Sequence, residues 1–123
     1  MISKNIVQKI IFDNEDALQE QKDTQSHDLL IGLVWSPKRL ALRDYIASLP
    51  FEEIIDLCSL MDYGRALHAL KMSKCNTQAF EETRKAFVLS HHDPSEKTHL
   101  ATYLLEKQHK LTQYLQCVLS LLE

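Results

Sequence analysis

Histidines and carboxylates gather in one part of this chain: His91-His92-Asp93, Glu96 and His99, with Glu106 and His109 further on. The cluster contains two Glu-x-x-His steps, Glu96/His99 and Glu106/His109, the spacing that carboxylate-bridged di-metal bundles use. The steps begin ten residues apart, so on one continuous helix they are separated by roughly 15 Å along the axis. Two bridged metals sit about 3.5–4 Å apart. A shared centre would also need two further carboxylates projecting from apolar stripes, and none of Glu15, Glu20, Glu52, Glu53, Glu81 or Glu82 is placed to do so. The residues fit a capping Asp, a Glu favoured by the helix dipole and solvated histidines. No metal and no cofactor is expected.

Nucleophilic chemistry finds little more. Ser, Cys and His are present, but there is no GxSxG elbow, and two glycines cannot build a phosphate-cradling loop. Cys75 with His68 is the one thiol–imidazole pairing worth naming. Lys38, Arg39 and Arg43, joined by Arg65, Lys71 and Lys74, form a candidate basic patch able to grip phosphate. No aromatic platform is interleaved with it, and acidic residues lie close by, so a solvated face is the plainer account. No catalytic residue is assigned, and the chain is expected not to be an enzyme.

The elements that position these residues read as helices. The chain has 123 residues, enough for one domain with a real core. Its 45% hydrophobic and 25% charged content is ordinary for a soluble protein, and few glycines and prolines favour long helices over a turn-rich sandwich. A net charge of −3 removes the usual electrostatic reason to expect nucleic acid or an anionic membrane as partner. Cys58, Cys75 and Cys117 are odd in number and lack a CxxC pair, as suits reduced thiols. Met1–Phe12 interleaves lysines with its apolar residues and does not read as a signal peptide, and no apolar run is long enough to span a membrane. A cytoplasmic location is expected.

Ser36 to Arg65 organises the chain. Ser36-Pro37 is an N-cap followed by Pro at the first helical position, with Trp35 and Leu40 at the positions of a hydrophobic staple. Leu42, Tyr45, Ile46 and Leu49 give one apolar face, and Pro50 ends that helix and opens the next. Phe51, Ile54, Ile55, Cys58 and Met61 form the second stripe, with Gly64 predicted as the left-handed residue that closes it. Before this unit, Ser3 can cap a short helix carrying Ile6, Val7, Ile10 and Ile11. Residues 13–28 turn polar and are expected to be a linker or a poorly packed helix, and the place where disorder is most expected. Leu29–Trp35 shows neither helical nor strand period. After it, Asn76 or Thr77 caps a helix with Phe80, Thr83, Ala86 and Phe87 inward, ended by His91-His92. Asp93-Pro94-Ser95-Glu96 resembles a capping box. A last helical segment runs to Leu122 with a break expected near Glu106–Gln108. The reading is an all-α, single-domain bundle of five or six helices covering 1–123.

Two blocks carry a family resemblance. Ala41-Leu42-Arg43-Asp44-Tyr45-Ile46-Ala47-Ser48-Leu49, with Leu57, Leu60-Met61 and Gly64-Arg65, is one; Ala101-Thr102-Tyr103-Leu104-Leu105, with Leu111 and Tyr114-Leu115, is the other. Together they resemble a small bacterial family known as domain of unknown function thirty-seven seventy-five. Ala66 stands where that family usually has a second glycine, and Glu106–Lys110 lacks its usual Gly or Pro. The resemblance implies an all-helical bacterial protein and supplies no mechanism.

The function expected is that of a non-enzymatic helical protein-interaction module, able to self-associate. The alternative is a bacterial or phage-borne regulator or inhibitor that touches nucleic acid or a nucleic-acid machine. Leu111, Tyr114, Leu115, Cys117, Val118, Leu119, Leu121 and Leu122 spread over an arc of roughly 200°, wider than one packing stripe requires. Tyr114, Cys117, Leu119 and Leu121 are therefore the candidate interface of a homodimer.

Overall fold

The computed structural model describes residues 1–24, 35–72 and 74–122, and among these every regular element is helical. The order is α1 (Lys4–Thr24), α2 (Pro37–Ala47), α3 (Phe51–Ala69), α4 (Thr77–Ser90), a 3-10 turn (Pro94–Glu96), α5 (Lys97–Glu106), α6 (Gln108–Cys117) and a final 3-10 turn (Leu119–Leu122). Six α-helices in one bundle agree with the architecture predicted.

The start signals work as their side chains suggest. Ser36 Oγ accepts from the Arg39 N–H at 3.2 Å, and Asn76 Oδ1 accepts from the Ala79 N–H at 3.0 Å. Pro50 ends the α2 region and supplies its own carbonyl to the Glu53 and Ile54 N–H groups at 2.9 and 3.1 Å, starting α3. The break between α5 and α6 falls at Lys107. No Gly or Pro is needed there, because Arg39 Nη2 reaches across from α2 and donates to the Leu105 carbonyl at 2.6 Å. That carbonyl belongs to the last turn of α5, where helical acceptors run out.

α3 is buried on nearly every side: Ile54 through Met61 form an unbroken buried run, followed by Tyr63, Gly64 and Leu67. A helix without a polar face belongs inside a core. α3 carries α4, α5 and α6 against it, while α1 and α2 cover the far sides of α6 and α5. α6 therefore lies between α1 and α3, and α5 between α2 and α3.

Ala86, expected inward on α4, is exposed, and two further expectations require correction. Gly64 does not close a helix: α3 continues to Ala69, and no glycine has positive φ among the described residues. A Cβ at position 64 would lie 2.0 Å from the Tyr114 carbonyl oxygen, so glycine is there to let α3 and α6 meet backbone to backbone. The left-handed residue is Lys71, at φ 55°. Its N–H bonds the His68 carbonyl and the Met72 N–H bonds the Leu67 carbonyl, the pattern of a Schellman motif. The second concerns the first part of residues 13–28, where the helical alternative holds but the packing is closer than expected. Residues 13–24 continue α1, and Val7, Ile10, Asn14 and Ala17 form one fully buried stripe through the polar stretch. Asn14 can occupy that stripe because Nδ2 donates to the Gln108 carbonyl and to Thr112 Oγ1, both at 3.1 Å. The remaining residues of that segment, and 29–34, lie outside the described residues.

Candidate functional site

α4 has an open outer side. It packs chiefly on α3 and buries Phe80, while Thr83, Arg84 and Phe87 are half-covered. Arg84 Nε donates to Asp56 Oδ1 at 2.6 Å, and Asp56, itself 2% exposed in its side chain, also accepts the Ile2 N–H at 2.9 Å through Oδ2. This buried carboxylate ties α4 and the start of the chain to α3.

Beyond Arg84 the helix stands clear of α5. A cleft of about 290 Å³ between them is lined by Phe87, His91, His99, Leu100 and Tyr103. On the opposite flank of α4, a groove of about 190 Å³ is lined by Phe51, Glu52, Ile55, Arg84, Val88, His91 and His92. Val88, 47% exposed, stands in the wall of the second groove, and Leu89, 80% exposed, is on the outer face of α4. The walls are fixed by polar pairs at their backs. Tyr103 Oη donates to Asp62 Oδ1 at 2.9 Å, and burial followed by this bond pushes the phenol pKa up to about 12. His91 stacks on Phe87 with centroids 5.7 Å apart and pairs through Nδ1 with Glu96 Oε2 at 2.7 Å. The arrangement offers apolar and aromatic surface with few free charges, which suits an apolar side chain better than a reacting group.

The histidine and carboxylate cluster is thus partly assembled, though not as a metal centre. Glu96 faces His91 instead of closing a capping box, while Asp93 caps the turn by accepting the Ser95 N–H, which lowers its pKa. His99 shares the cleft with His91, whereas Glu106 and His109 are exposed on separate helices across the Lys107 break. Among the described residues no three His, Cys, Asp or Glu side chains come together to hold a metal ion. Cys75 and His68 each have other company: Cys75 donates to the Cys117 carbonyl, and His68 sits edge-on to Tyr114.

The basic patch is largely engaged within the chain. Lys38 pairs with Asp16 at 3.0 Å, Arg43 with Asp44 at 3.1 Å, and Arg39 lies 3.8 Å over the Trp35 ring while bonding Leu105. Burial lowers the Arg39 pKa, with Glu106 opposing. Arg65 is exposed near the C-terminal end of α3, within the helix, since the helix continues past Gly64. The C-terminal apolar arc is partly covered by the chain itself. Tyr114, Cys117, Leu119 and Leu121 are half-buried and packed on the core, with α1 on one side of α6 and α3 on the other. Val88 and Leu89 were missed by the sequence reading; for Leu89 the available signal was its position about 180° around α4 from Phe80, on the side away from the core.

Among the described residues no helix is long and apolar enough to cross a membrane. No family model, curated protein or solved structure matches the chain.

Proposed function

We propose that this protein acts without catalysis, as a helical module that docks an amphipathic helix of a protein partner against the outer half of α4. The observation that carries the reading is the exposure of Leu89 on the outside of α4 and of Val88 in the wall of a groove shared with Phe51 and Ile55, with a second cleft lined by Phe87 and Tyr103 on the other flank. Exposed aliphatic groups beside apolar grooves mark interaction sites, and a helix-in-groove partner reads such a surface with side chains one turn apart. The pairing of His91 with Glu96 and of Tyr103 with Asp62 supports binding over chemistry, because the polar groups already have partners. Nucleic-acid contact draws little support from Lys38, Arg39 and Arg43, whose charges are met within the chain. The helical order fits membership in the unknown-function family that the two sequence blocks resemble, which adds no activity.

Photo-crosslinking tests the docking. A benzophenone side chain at position 89 in the native host should yield one adduct whose crosslinked peptide is an amphipathic helix of another protein. The same probe at exposed position 66 should not. An adduct of twice the chain's mass would make the occupant a second copy, and absence of any adduct at position 89 would contradict the proposal.

A further inference from the structure

Of the three cysteines, two meet at the far end of α4 from the docking face, and they carry an inference independent of docking. Cys75 is the residue before the Asn76 cap, and Cys117 is the last residue of α6. Cys75 Sγ donates to the Cys117 carbonyl at 3.1 Å and accepts from Ser120 Oγ at 3.5 Å. A cysteine's carbonyl oxygen and sulfur are at most about 5 Å apart, so covalent geometry keeps the two sulfurs within roughly 8 Å. Closing that gap to a bond needs side-chain rotation together with whatever backbone shift brings the two Cα atoms within about 7 Å. Both residues sit at the ends of elements, where such a shift breaks few helical bonds. Both are half-buried free thiols, reachable by a small oxidant, whereas Cys58 is fully buried in α3.

We propose that Cys75 and Cys117 form a reversible oxidation site, closing to an intramolecular disulfide in the presence of a small-molecule disulfide such as oxidised glutathione. One cysteine thiolate attacks a glutathione sulfur, the glutathione S–S bond breaks, and one glutathione leaves as a thiolate that takes up the released proton. The second cysteine, deprotonated in turn, attacks the protein sulfur of the mixed disulfide and expels the second glutathione. Two cysteine thiols are oxidised, and one glutathione disulfide is reduced to two thiols. The new bond joins residues 42 apart in sequence and ties the entry of α4 to the end of α6. Cys58 takes no part: burial, reinforced by Asp62, raises its thiol pKa and keeps it protonated.

The full-length native chain is incubated with oxidised glutathione, alkylated and digested with trypsin. The expected product joins the peptide 75–84 to the peptide 111–123, with Cys58 alkylated only after unfolding. The oxidised chain should melt higher by on the order of 10 °C, reversed by dithiothreitol and absent in Cys75→Ser. Stable glutathione adducts on Cys75 or Cys117 without the internal bond would overturn the proposal. So would a bond to Cys58, or no reaction of either thiol under conditions that oxidise the urea-unfolded chain.

Discussion

Replacing Gly64 by Ala sets two physical effects against each other. In an exposed helix interior the change stabilises by about 1 kcal/mol, because Ala loses less backbone entropy. At position 64 the added Cβ would meet the Tyr114 carbonyl oxygen at 2.0 Å, its carbon at 2.7 Å and its Cα at 3.1 Å. Carbon contacts are comfortable near about 3.5 Å, so α3 and α6 must part by roughly 1.5 Å. The obstacle is backbone and cannot rotate aside. Overpacking of this kind costs about 3 kcal/mol, the upper end of the usual range. Net of propensity, Gly64→Ala should destabilise by about 2 kcal/mol and lower the Tm by roughly 10 °C. Ala66→Gly, two residues on and exposed, is the control and should cost about 1 kcal/mol through propensity alone. Thermal and urea unfolding followed by far-UV circular dichroism measure both. A Gly64→Ala protein more stable than the wild type would refute the close approach of α3 to α6.

Lys71 holds a left-handed conformation at φ 55°, so Lys71→Gly should raise stability by about 1 kcal/mol in urea titration. Asp56→Ala leaves Arg84 and the Ile2 N–H without their buried acceptor and should cost about 3 kcal/mol, with Arg84→Ala and the double variant showing the coupling. Tyr103 is raised to about 12 against a reference near 10 for an unfolded tyrosine. The neutral phenol is favoured by the fold, so this stabilisation is complete below about pH 10 and is lost as pH rises toward about 12. Ultraviolet titration should show one late-ionising tyrosine that vanishes in Tyr103→Phe.

Local signals announced much of the fold and little of the site. Ser36, Asn76 and Asp93 cap what their side chains and neighbours imply, and Pro50 separates α2 from α3. What stayed hidden depends on residues distant in sequence. Asn14 belongs to a buried stripe only because Gln108 and Thr112 meet its amide. A glycine late in an apolar helix looks the same whether it ends the helix or admits another backbone, and Tyr114 decides that for Gly64. Lys71 takes the left-handed turn against its own preference, a choice imposed by the path from α3 to α4. The histidine cluster was visible as composition, but its pairing of His91 with Glu96 rests on the 3-10 turn that swings Glu96 away from the cap. Which apolar residues remain uncovered, Leu89 rather than Leu119, follows from packing that no single helix encodes.

The docking claim is met most directly by quantitative capture from the native host, using the whole chain and two variants shown to be folded by circular dichroism, Leu89→Glu and Leu119→Lys. The account predicts a protein retained by the wild type and by Leu119→Lys and lost with Leu89→Glu. Retention by Leu89→Glu together with loss in Leu119→Lys would contradict it and place the binding surface on the C-terminal arc.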